Sequence, residues 1–258
     1  MSRRATTQLA VLLAMSAVAL TLALPAPGWA SSGGAGFGAS PTKKFATANV
    51  QPGDVTATAT NGGITLSAKV SAMLSHGLRF TGVVPAAMAG QTVVIERLDR
   101  IKGWLRTAHG TAASDGSFSI TWRTNHIGRF AIRALLLRGS LASTRSATNG
   151  PTVDVTIYRP AIATWYGPGS WGSTTACGET LTPQTLGVAH KWLKCGTPVA
   201  LYYGGRTIIV PVIDRGPYAN NADYDLTQAT SRALHTDGVS TIGAVSLPGT
   251  TLTAAGHT

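Results

Sequence analysis

The sequence predicts an all-β protein of two domains, and three observations carry that reading. From Val55 onward, apolar and polar residues alternate in short runs separated by turn formers. The chain holds 30 Gly and 13 Pro in 258 residues, the punctuation that short strands require. Only one stretch, near the C-terminus, carries convincing helix signals. Charged residues make up 12% and hydrophobic residues 44%, which excludes a charged disordered chain and a coiled coil.

The first segment, 1–30, reads as a secretory signal peptide. Arg3 and Arg4 precede an apolar run over 9–24, Pro25 and Pro27 break it, and Gly28-Trp29-Ala30 offers small residues for cleavage after about Ala30. A membrane anchor is the competing reading, but these 16 apolar residues fall short of the roughly 20 that a spanning helix needs. The mature chain is therefore expected to be secreted, monomeric and without an integral membrane segment. Residues 31–50, rich in Ser, Gly, Ala and Thr, read as a flexible linker. In an oxidising compartment the two cysteines, Cys177 and Cys195, are expected to form a disulfide.

Residues 51–159 follow as a β-sandwich, immunoglobulin-like in architecture. Strands are expected at 55–60, 64–70, 78–84, 92–98, 103–109, 117–123, 129–137 and 153–158. Asn61-Gly62-Gly63, Ala89-Gly90, Ser114-Asp115-Gly116 and Asn149-Gly150-Pro151 mark turns between them. Trp104, Phe118, Trp122 and Phe130 are expected in its core. His76, His109 and His126 are scattered, and Glu96 and Asp99 lie beside basic residues, so the sandwich shows no catalytic cluster.

Charge divides the chain. Residues 31–159 hold 14 Lys or Arg against 5 acids, while residues 160–258 hold 5 of each. The excess includes Arg97, Arg100, Lys102, Arg106, Arg123, Arg129, Arg133 and Arg138. An exported protein meets little nucleic acid, so the expected polyanion is an anionic wall polymer; a solvated surface without a ligand is the alternative.

The last segment, 160–250, concentrates the polar chemistry. In order come Ala163-Thr-Trp-Tyr-Gly167, Thr175-Ala-Cys-Gly-Glu179, Val188-Ala-His190, Gly196-Thr-Pro-Val199, Val212-Ile-Asp-Arg-Gly-Pro-Tyr218 and Asp225-Leu-Thr227. Thr227 is an expected N-cap for a helix over 228–234, and 243–247 is a closing strand. Asp214 ends an apolar run, so its carboxyl should emerge at a strand end beside buried surface. Glu179 is one of two glutamates in the chain, and His190 lies on the far arm of the 177–195 loop. No carboxylate or histidine set has metal-ligand spacing, so no cofactor is implied.

This ordered set resembles the RlpA-like (rare lipoprotein A) double-psi β-barrel, a fold shared with expansins and some lytic transglycosylases. The resemblance implies a six-stranded barrel with one short helix that acts on peptidoglycan or another cell-wall polysaccharide. It also implies that Asp214 is a general acid/base, with Glu179 and His190 orienting substrate or tuning its proton; Glu179 as proton donor stays open. Tyr166, Trp171, Arg215 and Tyr218 are expected to contact substrate. Asp225 is expected to fix the helix start or pair with Arg215, and Trp165 and Trp192 to pack in the core. Family members often carry Asp or Asn three residues after the glutamate; here that position is Thr182. Two other activities remain open on the same barrel: expansin-like binding without cleavage, and hydrolysis by an inverting pair of carboxylates.

Overall fold

The computed structural model describes residues 50–137, 150–219 and 221–249. The expected signal segment, nearly all of the 31–50 linker, Arg138 and the 251–258 tail lie outside the described residues. Two sheets form the N-terminal half. One is antiparallel, β2 (Thr56–Asn61), β3 (Ile64–Lys69), β5 (Leu78–Val83) and β8 (Ser117–Trp122), with β1 (Gln51–Pro52) and β4 (Ser71–Met73) pairing elsewhere. The facing sheet holds β6 (Thr92–Asp99), β7 (Gly103–Thr111), β9 (Gly128–Leu136) and the first part of β10 (Thr152–Tyr166).

Period-two alternation drives the packing. Ile64, Leu66, Leu78, Phe80, Phe118, Ile120 and Trp122 point from one sheet into a core shared with Val93, Ile95, Ile132, Val153, Val155 and Ile157 of the other. Trp122 meets Phe130 edge to face, ring centres 5.9 Å apart. Trp104 departs from the expected core. It sits on β7, the end strand of its sheet, which has no fully buried residue, and its ring carries the Arg133 guanidinium at 4.2 Å.

The second half closes on itself. After β11 (Val188–Ala189), β12 (Pro198–Tyr203), β13 (Arg206–Asp214), β14 (Tyr224–Thr227) and β15 (Ser240–Ser246), neighbours run β14-β11-β13-β12-β15-β10, and a parallel β10–β14 pairing completes the ring. This is a six-stranded mixed barrel: β10–β14 and β11–β13 are parallel, the other neighbours antiparallel. Its interior is filled by Val188, Val199, Leu201, Ile208, Val210, Val212, Leu226, Ile242 and Leu234. Leu234 comes from α1 (Gln228–Leu234), the one α-helix among the described residues, and the Thr227 hydroxyl caps it by accepting the Thr230 N–H at 3.3 Å.

β10 passes unbroken through Arg159 and Pro160, where the charge balance changes. It pairs with β9 over 152–157 and with β15 over 159–163, so Pro160, which has no N–H, falls at the exchange of partners. Two further ties join the halves. β1 pairs with β13, and the Tyr202 hydroxyl donates to Asp54 Oδ1 at 2.9 Å. Gly243, opposite Pro160, lets the junction close: a Cβ there would stand 2.8 Å from Tyr158 Cβ and 2.9 Å from Met73 Sδ. Gly243→Val is expected to cost about 1–3 kcal/mol, the usual range for overpacking, read as a lower midpoint in urea unfolding.

Candidate active site at the end of β13

Asp214 is the last residue of β13 and is half buried. Its Oδ1 accepts two backbone N–H bonds, from Ala176 at 2.9 Å and from Arg215 at 2.8 Å. The first donor belongs to the loop that carries Glu179, so one oxygen pins that loop to the strand end. Among the described residues no hydrogen bond engages Oδ2. The Arg215 guanidinium turns away from the carboxylate, with Nη1 donating to the Asp214 carbonyl at 3.3 Å and Nη2 to Cys195 Sγ at 3.3 Å.

The expected disulfide is present, joining Cys177 and Cys195 with Cα atoms 5.6 Å apart. Cys177 N–H donates to the Ile213 carbonyl at 3.2 Å and Gly196 N–H to that of Val212 at 2.7 Å, so both arms of the loop lie along the last turn of β13. Glu179 closes a tight turn in which Thr175 N–H donates to its carbonyl at 2.8 Å and its own N–H to Thr175 Oγ1 at 3.1 Å. Partial burial raises the Glu179 carboxyl above its ordinary value. Thr182 is exposed and bonds only within its own turn, to the Thr185 hydroxyl at 2.9 Å.

His190 N–H donates to the Asp214 carbonyl at 3.2 Å, which sets the two residues side by side. Its Nδ1 accepts the N–H groups of Trp192 at 3.1 Å and Leu193 at 3.0 Å, so the proton of the neutral ring belongs on Nε2. Burial lowers the His190 pKa, with Arg159, Arg215 and Lys191 acting in the same sense and Asp223 opposing them; the Tyr224 ring packs at 4.9 Å.

A carboxylate that sequence reading assigned elsewhere completes the cluster. Asp225 neither caps α1, which Thr227 does, nor pairs with Arg215 among the described contacts. It accepts the Thr164 hydroxyl at 2.7 Å, and Ala189 lies opposite both it and Asp214 in the sheet. Two strand spacings thus separate the two acids, about 10 Å between their Cα atoms. Burial raises the Asp225 pKa, and the Asp214 charge adds to the rise. The Tyr166 hydroxyl is buried without a hydrogen-bond partner, and its pKa is raised by burial, then by Asp214 and Asp225. Tyr166 thereby brings a hydroxyl to the two acids. The signal for Asp225 was its place in a strand beside Thr164, legible only once β14 is paired with β10.

Aromatic placement also differs from expectation. Trp192 is 84% exposed and Trp165 38%, so neither is a core residue; Trp192 sits on a turn whose backbone, not its ring, is anchored. Tyr218 is 81% exposed. Trp171 is half buried, its ring packed on the Gly167 backbone where a Cβ would collide. Among the described residues no group of three His, Cys, Asp or Glu could hold a metal ion, and no helix is long and apolar enough to cross a membrane.

The closed six-stranded mixed barrel, with Asp214 at the end of β13, has the architecture of a double-psi β-barrel. Residues 160–245 match the family described as lytic transglycolase, so this segment is an RlpA-like double-psi β-barrel domain of the lytic transglycosylase family. The chain is 33% identical over 110 residues to the probable endolytic peptidoglycan transglycosylase RlpA of Synechocystis sp., a stretch covering 41% of this chain and 34% of that protein. It is 42% identical over 72 residues to the endolytic peptidoglycan transglycosylase RlpA of Campylobacter jejuni, covering 27% and 26%. Against the probable RlpA enzyme of Aquifex aeolicus identity is 37% over 79 residues, covering 30% and 35%. The chain therefore spans about a third or less of the length of these relatives, and the match to the family lies within the barrel. A disulfide in a domain of this family fits an extracytoplasmic location.

The depressed His190 pKa has a consequence for stability. Below the ordinary value of 6.5 the unfolded chain takes up a proton that the folded ring resists, because burial and the nearby Arg159 disfavour the charged ring. Stability is expected to fall as pH drops below 6.5. His190→Asn, which keeps an acceptor but does not titrate, should flatten that decline in urea unfolding measured across the pH range.

Proposed function

We propose that this protein is an extracytoplasmic, wall-associated enzyme that cleaves peptidoglycan glycan strands as a lytic transglycosylase, with Asp214 as general acid/base. The observation that carries the reading is Asp214 at the end of β13 in a domain of this family, one carboxyl oxygen held in place by two backbone N–H groups. Protonated Asp214 gives its proton to the glycosidic oxygen as the C1–O4 bond breaks, through an oxocarbenium-like state. The resulting carboxylate takes the proton of the muramic acid C6 hydroxyl, whose oxygen bonds to C1. A 1,6-anhydro ring forms, no water is consumed, and the acid is restored. Glu179 and His190 orient the sugar or tune this proton; Glu179, raised by burial, is the second group able to donate. Tyr166, Arg215, Trp171 and Tyr218 complete the substrate contacts. Export would follow from cleavage of the N-terminal segment after about Ala30.

The test is digestion of purified peptidoglycan followed by mass analysis of chain ends. Wild type should release 1,6-anhydro ends, and Asp214→Asn should lower that release at least a hundredfold, as loss of a general acid does. Reducing ends instead would indicate hydrolysis, and intact glycan with retained binding would indicate an expansin-like protein.

The basic sandwich serves retention on an anionic wall polymer in this reading. Arg97, Arg129 and Arg133 are paired with Asp99, Asp154 and Glu96, so the attraction centres on residues outside those pairs. Arg123 lines a cleft of about 370 Å³ with Arg97, Arg106 and His126 and no acid. Arg123→Glu should weaken retention on walls that keep their anionic polymer and leave retention on stripped walls unchanged, as read by sedimentation at low salt.

A further inference from the structure

Trp192 is the most exposed large aromatic residue among the described residues, at 84%, yet its backbone is hydrogen-bonded. Its own N–H and that of Leu193 donate to His190 Nδ1. Leu193 packs against the barrel core, Lys191 Nζ reaches the Ala222 carbonyl at 3.4 Å, Cys195 is bound to Cys177, and Gly196 N–H is fixed to Val212. The segment 190–196 thus offers an indole ring from a rigid base. Such a ring binds without the ordering cost of a mobile loop.

Its position adds the second observation. Residue 190 is bonded to Asp214 and residue 196 to Val212, so Trp192 lies on the loop that flanks the acid-bearing strand end. Tyr218, 81% exposed, follows Asp214 by four residues on the next turn. The two most exposed aromatic rings therefore lie on segments at the same end of the barrel, one following Asp214 and the other following His190, whose N–H is bonded to the Asp214 carbonyl. A rigid aromatic face beside a proton donor suits a pyranose chain, whose axial C–H groups form an apolar face and whose hydroxyls stay in water.

We propose that Trp192 is a sugar-stacking platform that, with Tyr218, holds an amino-sugar glycan strand against the Asp214 end of the barrel. The proposal rests on the glycan reading above and adds a residue and a binding mode to it. Loss of the ring should weaken the hold on the strand without disturbing the fold, because Trp192 is 84% exposed.

The test measures calorimetric binding of soluble glycan strands, freed of stem peptides by an amidase, in an Asp214→Asn background that leaves them uncleaved. Trp192→Ala in that background should weaken affinity about tenfold or more, and Trp192→Phe only a fewfold, with an unchanged thermal midpoint for both. Strand binding should also shield one tryptophan more from acrylamide quenching in the parent than in Trp192→Phe. Equal affinity of parent and Trp192→Ala overturns the platform and leaves the glycan reading standing. A parent that binds no strands overturns both. If Trp192→Ala changes only self-association in sedimentation, the ring is a protein contact and the proposal fails.

Discussion

Backbone pairing along the fifteen residues of β10 holds both halves of the molecule in one register. Its first part is bonded to β9 and β4 in the sandwich, its middle to β15, and its last four residues to β14 in the barrel. A slip of one residue would turn Val153, Val155 and Ile157 out of one core and Ala161 and Ala163 out of the other. The same register sets Thr164 against Asp225 and Tyr166 against Thr227, so the sandwich and the candidate site depend on one ladder. Pro160 and Gly243 mark where that ladder changes partners: one supplies no donor and the other no side chain.

At the site, backbone groups do most of the positioning. Asp214 Oδ1 is occupied by two N–H donors, and His190 Nδ1 by two more, so each of these candidate side chains is oriented by the turn it stabilises. Burial then separates the behaviour of the ionisable groups. It favours the protonated forms of Asp225, Glu179 and Tyr166 and the neutral form of His190.

Much of this arrangement is legible in the sequence. The alternating runs located the sandwich strands, Thr227 announced α1, and the apolar run into Asp214 placed that acid at a strand end. The charge-rich sandwich was visible as well, though not that three of its arginines are paired with Asp99, Asp154 and Glu96. Three aromatic assignments failed for a common reason. Trp104, Trp165 and Trp192 are apolar enough for a core, and composition carries no information on whether a strand is central or terminal, or whether a turn points its ring outward.

The sequence by itself determined most of the sandwich strands, α1, the disulfide partners and the order of polar motifs, because alternation, turn chemistry and cysteine number are local or countable properties. Tertiary structure alone decided that Asp225 lies across β11 from Asp214, that Tyr166 brings a buried hydroxyl near both acids, and that Trp192 stands in water. Those outcomes depend on which strands become neighbours when the barrel closes, and pairing between segments tens of residues apart leaves no periodic trace in the chain.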